Sequence, residues 1–176
     1  MKKILVNLVH PNLEKSVVNK RLANAISNLE NVTINNLYSK YPDFKIDAKK
    51  EQELLINHDV IVFQFPMYWF SSPALLKEWF DVVLESGFAY GSSYKLKNKP
   101  FAIAISCGID EKSFTETEKE KKTVEEYLYP LFGTAYYTKM DYKKPFITYE
   151  TEHKLGEDIL NKYEEDYIRY IKELSK

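Results

Sequence analysis

Val60, Ile61, Val62 and Phe63 are four apolar residues in succession. A strand turns successive side chains to opposite faces, so this run must be covered on both sides. The segments around it alternate in period. Lys2–Val9, Asn31–Leu37, Asp59–Phe65, Pro100–Cys107 and Asp141–Tyr149 read as strands. Val17–Leu29, Asp47 to about Asn57, Pro73 to about Glu85, Val124–Lys139 and Leu155–Leu174 carry helical spacing. Ser16 and Asp47 stand where N-caps belong, and Pro73 stands at a helix start, where its missing N–H costs nothing. Tyr41-Pro42-Asp43-Phe44 is a turn. Strands alternating with helices predict an α/β chain with a five-stranded parallel sheet and helices on both faces.

The chain has 176 residues, which suits a single domain over 1–176 with a substantial core. With 25 Lys and Arg against 26 Asp and Glu, it has no basic excess for neutralising phosphates, so no nucleic-acid partner is expected. Its single cysteine, Cys107, excludes an internal disulfide and fits a reducing compartment. The apolar run Ile4–Val9 ends at His10-Pro11 with no cleavage site after it, and no stretch approaches the roughly 20 apolar residues of a membrane span. The expectation is a soluble, cytoplasmic protein. His10, His58 and His153 fit no metal-ligand spacing, and no metal is expected. The charged stretch Thr115–Lys122 reads as a solvated loop or helix start.

In open α/β sheets, ligands bind beyond the carboxyl ends of the strands. Three loops reach that edge. His10 to Asn19 leads into the first helix, whose opening N–H groups suit a phosphate; Ser16 adds a hydroxyl, Asn19 an amide and His10 an imidazole. The same residues equally describe an ordinary capped helix. No Gly-rich dinucleotide fingerprint or P-loop is present. Gln64 to Pro73 carries Met67, Tyr68, Trp69 and Phe70, either lying along a flat heterocycle or packing into a core or subunit interface. Ser106-Cys107-Gly108-Ile109-Asp110 allows close backbone approach at Gly108, or is a simple turn with a buried cysteine. A nucleophilic Cys107 would need a base beside it.

The stretch Phe63 to Asp81, followed by Gly87-Phe88-Ala89-Tyr90-Gly91, resembles the NAD(P)H:quinone oxidoreductases of flavodoxin-like fold. It is most similar to the bacterial branch of quinone reductases, potassium-efflux ancillary proteins and general stress proteins. The stretch from Leu37-Tyr38 through Tyr41-Pro42-Asp43-Phe44 to Ile46-Asp47 carries the same likeness, as does His10-Pro11 with Ser16 and Asn19.

The resemblance implies a bound flavin, FMN or alternatively FAD, and NADH or NADPH as electron donor. His10, Ser16, Val17, Val18 and Asn19 would hold the phosphate. Met67, Tyr68, Trp69, Phe70, Cys107, Gly108 and Ile109 would hold the ring. It implies a homodimer with the active site at its interface, near Gly87–Gly91 and the helix before it. The third loop departs from the family's Thr-Thr-Gly-Gly, and Phe114 stands where the family has a Tyr or His that assists the reduced flavin. Phe114 cannot donate a proton. Backbone donors from Met67 to Phe70 would stabilise negative charge, with Tyr68 as the candidate acid.

The expected activity is ping-pong hydride transfer from NAD(P)H to a quinone. The alternatives are a flavin-binding regulatory subunit of a membrane transporter and a nitro- or azo-compound reductase. A one-electron flavodoxin is disfavoured, since the chain lacks a Ser/Thr/Gly-rich phosphate loop and an acidic surface.

Overall fold

The computed structural model describes residues 1–115 and 122–176. Strands β1 (Ile4–Leu8), β2 (Val32–Asn36), β3 (Val60–Pro66), β4 (Pro100–Ser106) and β5 (Asp141–Tyr142) form a parallel sheet in the order β2-β1-β3-β4-β5. A further short strand, β6 (Phe146–Thr148), also pairs with β4. This order is that of the flavodoxin-like doubly wound fold, with the switch point between β1 and β3.

Alternation along the strands divides the core in two. Ile4, Val6, Val60, Val62, Ala102 and Ala104 face helices α1 (Val18–Ile26) and α8 (Glu157–Leu174). Leu5, Ile61, Phe63, Phe65, Phe101 and Ile103 face the other way. Packed on that side are α3 (Ala48–Asn57), α4 (Ala74–Val83), α6 (Val124–Tyr127) and α7 (Tyr129–Tyr137). Both faces of β3 are therefore covered, as its apolar run demands. Arg21 on α1 bonds Glu157 and Glu164 on α8, clamping the two helices of one layer together.

Three readings need correction. The expected strand Asp141–Tyr149 is two strands. Phe101 pairs with Tyr142 and Ala104 with Phe146, so four steps on this chain oppose three on β4. The extra residue is a bulge at Lys143-Lys144-Pro145, where Pro145 has no N–H to offer the ladder. The expected helix Val124–Lys139 breaks at Leu128, because Pro130 cannot donate to the carbonyl four residues back. Thr123 and Glu126 form a reciprocal capping box at its start. Finally, Leu37 opens a one-turn helix, α2 (Leu37–Lys40), capped by Asn36, where the sequence reads as strand. The stretch Thr115–Lys122 begins at the end of another one-turn helix, α5 (Lys112–Thr115), and 116–121 lie outside the described residues.

Candidate functional site

The carboxyl ends of β1, β3, β4 and β6 meet at one rim. There a groove of about 580 Å³ runs from the start of α1 past Met67, Ser106 and Gly108 to Thr151–Lys154. It adjoins a second cavity of about 480 Å³ walled by Tyr68, Trp69, Phe70, Ile109 and Phe114. Met67, Tyr68, Gly108 and Glu152 line both, so the two form one continuous cleft.

At the groove's first end, Ser16 Oγ accepts from the Asn19 N–H at 3.1 Å, the bond an N-cap makes three residues on. Helix α1 is assigned from Val18, yet this bond gives Ser16 the capping role. Among the described residues the N–H groups of Val17 and Val18 have no protein acceptor. His10 Nδ1 accepts from the Asn12 N–H at 3.0 Å. In the neutral ring the proton therefore sits on Nε2, leaving that atom as a donor. Burial holds the His10 pKa below its ordinary value. Lys15 adjoins Ser16 here, and Lys154 lines the same groove. Unpaired helix N–H groups, a hydroxyl, an imidazole donor and the Lys15 cation make a seat for an anion.

Asn19 is turned inward. It is 2% exposed, and its amide donates to Ser106 Oγ at 2.7 Å rather than to the groove. Gln64 Nε2 donates to the Asn19 carbonyl at 2.9 Å, and the Tyr167 hydroxyl donates to Gln64 Oε1 at 3.0 Å. This buried chain runs from α8 to the rim.

At the second end, Tyr68 and Ser71 exchange backbone bonds of 2.9 and 3.0 Å, closing a two-residue turn on Trp69 and Phe70. Both central residues are left-handed, with φ of 49° and 59°, as a type I′ turn requires. Such turns favour Asn and Gly; two bulky aromatics there hold the backbone in a strained conformation. Trp69 is 94% exposed, while the Phe70 ring lies tilted against Tyr127, with centroids 4.9 Å apart. Met67 donates its N–H to Ser106 and Tyr68 donates to Ser71. Of the four expected backbone donors, only those of Trp69 and Phe70 lack a protein acceptor among the described residues.

The third loop is tied back by its carbonyls. The Cys107 carbonyl accepts from Thr151, that of Gly108 from Glu152 and that of Ile109 from Glu150. Among the described residues the N–H groups of Gly108 and Ile109 are left without protein acceptors. Cys107 itself does not line the cleft. Its side chain is fully buried, its N–H donates to Thr148, and burial pushes its thiol pKa up to about 12. A nucleophilic Cys107 is thereby overturned, since the protonated, enclosed thiol is neither charged nor accessible. Asp110 caps α5 by accepting from the Ser113 N–H at 2.9 Å, and α5 carries Phe114 to the cavity wall. Phe114 is 4% exposed and packs between Tyr127 and Tyr149.

The reading by three loops contains Lys15 without giving it a role, and misses the segment Thr151–Lys154. The signal for the latter is topological: the last strand ends at the same rim, so the loop after it belongs to the site as well. Among the described residues no group of three or more His, Cys, Asp or Glu could hold a metal, and no helix is long and apolar enough to cross a membrane.

A family model described as flavodoxin-like fold matches residues 2–171. The chain is 45% identical over 170 residues to a Bacillus subtilis protein named as an uncharacterized NAD(P)H oxidoreductase, YrkL, covering 95% of this chain and 98% of that one. General stress protein 14 of Treponema denticola, solved in complex with FMN, is 36% identical with a TM-score of 0.90, over 98% of this chain and 99% of that one. An NADPH-quinone reductase from P. pentosaceus is 33% identical with a TM-score of 0.87, over 96% of each. Further relatives are named as ancillary proteins of a glutathione-regulated potassium-efflux system. The chain thus belongs to the flavodoxin-like-fold family that includes proteins named as NAD(P)H oxidoreductases and quinone reductases.

Proposed function

We propose that residues 1–176 act as one flavodoxin-like domain that binds FMN along the rim cleft and passes hydride from NADH or NADPH to a quinone in a ping-pong cycle. The observation that carries this reading is the set of unpaired backbone N–H groups spaced along one cleft. Val17 and Val18 supply them at the anionic end, Trp69, Phe70, Gly108 and Ile109 at the ring end. The donors fit a molecule with a phosphate at one end and a flat, acceptor-rich heterocycle at the other. FAD is the alternative cofactor in this reading.

A flavin held by Ser16, Val17, Val18 and His10 at its phosphate and by Trp69, Phe70, Gly108 and Ile109 at its ring would supply the hydride-carrying chemistry between the nicotinamide and the second substrate. The chain's own part is orientation and charge. The N–H groups of Trp69 and Phe70 stabilise negative charge developing at the ring's polar edge. Met67 and Phe114 exclude water, and the Tyr68 hydroxyl, lining both parts of the cleft, is the proton donor to the acceptor oxygen. Phe114 acts as an apolar wall with no proton role.

A homodimer completes the site in this reading. Tyr129, Tyr136 and Tyr137 on α7 are exposed, as are Trp69 and Phe70 nearby, and Tyr137 contacts Tyr90 of the Gly87–Gly91 turn. Exposed aromatic rows of this kind suit a subunit interface.

The test is anaerobic. NADPH or NADH bleaches the flavin band of the loaded protein, menadione restores it, and initial velocities give parallel double-reciprocal lines. A band that no nicotinamide bleaches overturns the reading. The relatives named as potassium-efflux ancillary proteins favour a second one, a flavin-holding regulatory subunit of a membrane transporter. It predicts bound FMN with negligible menadione turnover. A nitro- or azo-reductase would differ only in its acceptor profile.

A further inference from the structure

The ring-end cavity contains one charged side chain among the described residues, Glu152; its other lining residues are uncharged, and four of them are aromatic. The backbone fixes Glu152 there. The Thr151 N–H and hydroxyl both donate to the Cys107 carbonyl at 3.0 Å, and the Glu150 N–H donates to Ile109 at 3.0 Å. The Glu152 N–H donates to Gly108 at 3.3 Å. Gly108 makes room for the carboxyl group. A Cβ at that position would lie 2.6 Å from Glu152 Cδ and 2.7 Å from its Oε1, so any larger residue would displace the side chain. The adjoining groove, which Glu152 also lines, carries Lys15 and Lys154 besides. Glu152 thus stands where the two parts of the cleft join, since it lines both.

We propose that Glu152 sets the charge specificity of the acceptor, admitting neutral quinones and turning away acceptors that bear an anionic group on the ring. This rests on the reading above, in which the flavin ring is held at this cavity and the acceptor stacks against it. A sulfonate or carboxylate on the ring would stand beside the Glu152 carboxylate, which is itself exposed. For like charges about 6 Å apart at an effective dielectric near 40, the repulsion amounts to roughly a tenfold loss of affinity. A neutral ring meets no such term.

The test compares menadione with 1,4-naphthoquinone-2-sulfonate on the FMN-loaded full chain. Equilibrium affinity is read without reductant from the perturbation of the flavin visible band, and kcat/KM is read with NADPH. Glu152→Gln raises the sulfonate-to-menadione ratio roughly tenfold in both measurements, and Glu152→Lys raises it further. In the unsubstituted chain, about 0.5 M salt moves the ratio in the same direction, because screening weakens the repulsion. A chain that reduces menadione while both variants leave the ratio within about twofold contradicts this inference and leaves the underlying reading standing. A chain that binds no flavin contradicts both.

Discussion

The Asn19 amide and the Ser106 hydroxyl meet at 2.7 Å, across 87 positions of sequence, and both residues are buried. One opens the first helix and the other ends β4. Their bond fixes the anion seat relative to the ring-end loop, and Gln64 and Tyr167 brace it from behind. Asn19→Ala removes the donor to Ser106 Oγ and leaves that buried hydroxyl unpaired, while the backbone carbonyl at position 19 still accepts from Gln64. Urea unfolding should show a loss of about 2 kcal/mol, the usual range for unpairing a buried polar group. FMN affinity should fall with it, because the two ends of the cleft lose their common support.

Glu51 is fully buried and accepts from four side chains: Asn35 at 2.8 Å, Lys40 at 2.7 Å, Tyr41 at 2.8 Å and Trp79 at 2.9 Å. It joins β2, α2 and α4 beneath the sheet's edge. Glu51→Ala strands the donors and should cost about 3–5 kcal/mol. Glu51→Gln, which keeps the shape and one acceptor, should cost less. The midpoint in denaturant reports both, with an unchanged slope.

Trp69 is held left-handed, yet it is almost wholly exposed, so its conformation costs more than its burial returns. Trp69→Gly should therefore raise stability by about 1 kcal/mol while lowering kcat/KM for the acceptor. A loss of stability would show that the turn is not strained.

The Cys107 thiol is raised by burial, and secondarily by Glu125, from an ordinary value of 9.0 to about 12. The unfolded chain therefore releases this proton first. Between about pH 9 and 12 the unfolded state binds fewer protons, so Cys107's contribution to stability is full below that window and is lost as pH rises through it. A thiol reagent at pH 8 should leave the native chain unlabelled and modify one thiol per chain in guanidinium. Cys107→Ala should flatten the alkaline loss of stability.

The sheet was legible in the sequence because its central strands are apolar on both faces, a pattern that few other arrangements tolerate. The two broken elements were less so. Pro130 and Pro145 were visible, but a proline near a helix start is tolerated, so its position relative to the cap decides the outcome. A one-residue bulge leaves no mark on local periodicity. At the site, Ser16 and the aromatic loop could be read from residue type and place. The inward turn of Asn19 could not, because its partner Ser106 is distant in sequence. Neither could Glu152, whose place follows from pairing with the Cys107–Ile109 carbonyls rather than from its own neighbours.

The most direct test of the account is calorimetric titration of the flavin-free chain with FMN and, separately, with riboflavin. The account predicts one FMN per chain and riboflavin weaker by roughly a hundredfold. The difference is the worth of charge-assisted bonds from Val17, Val18, Ser16 and His10 to the phosphate. No binding of FMN, or equal affinity for the two, would contradict it.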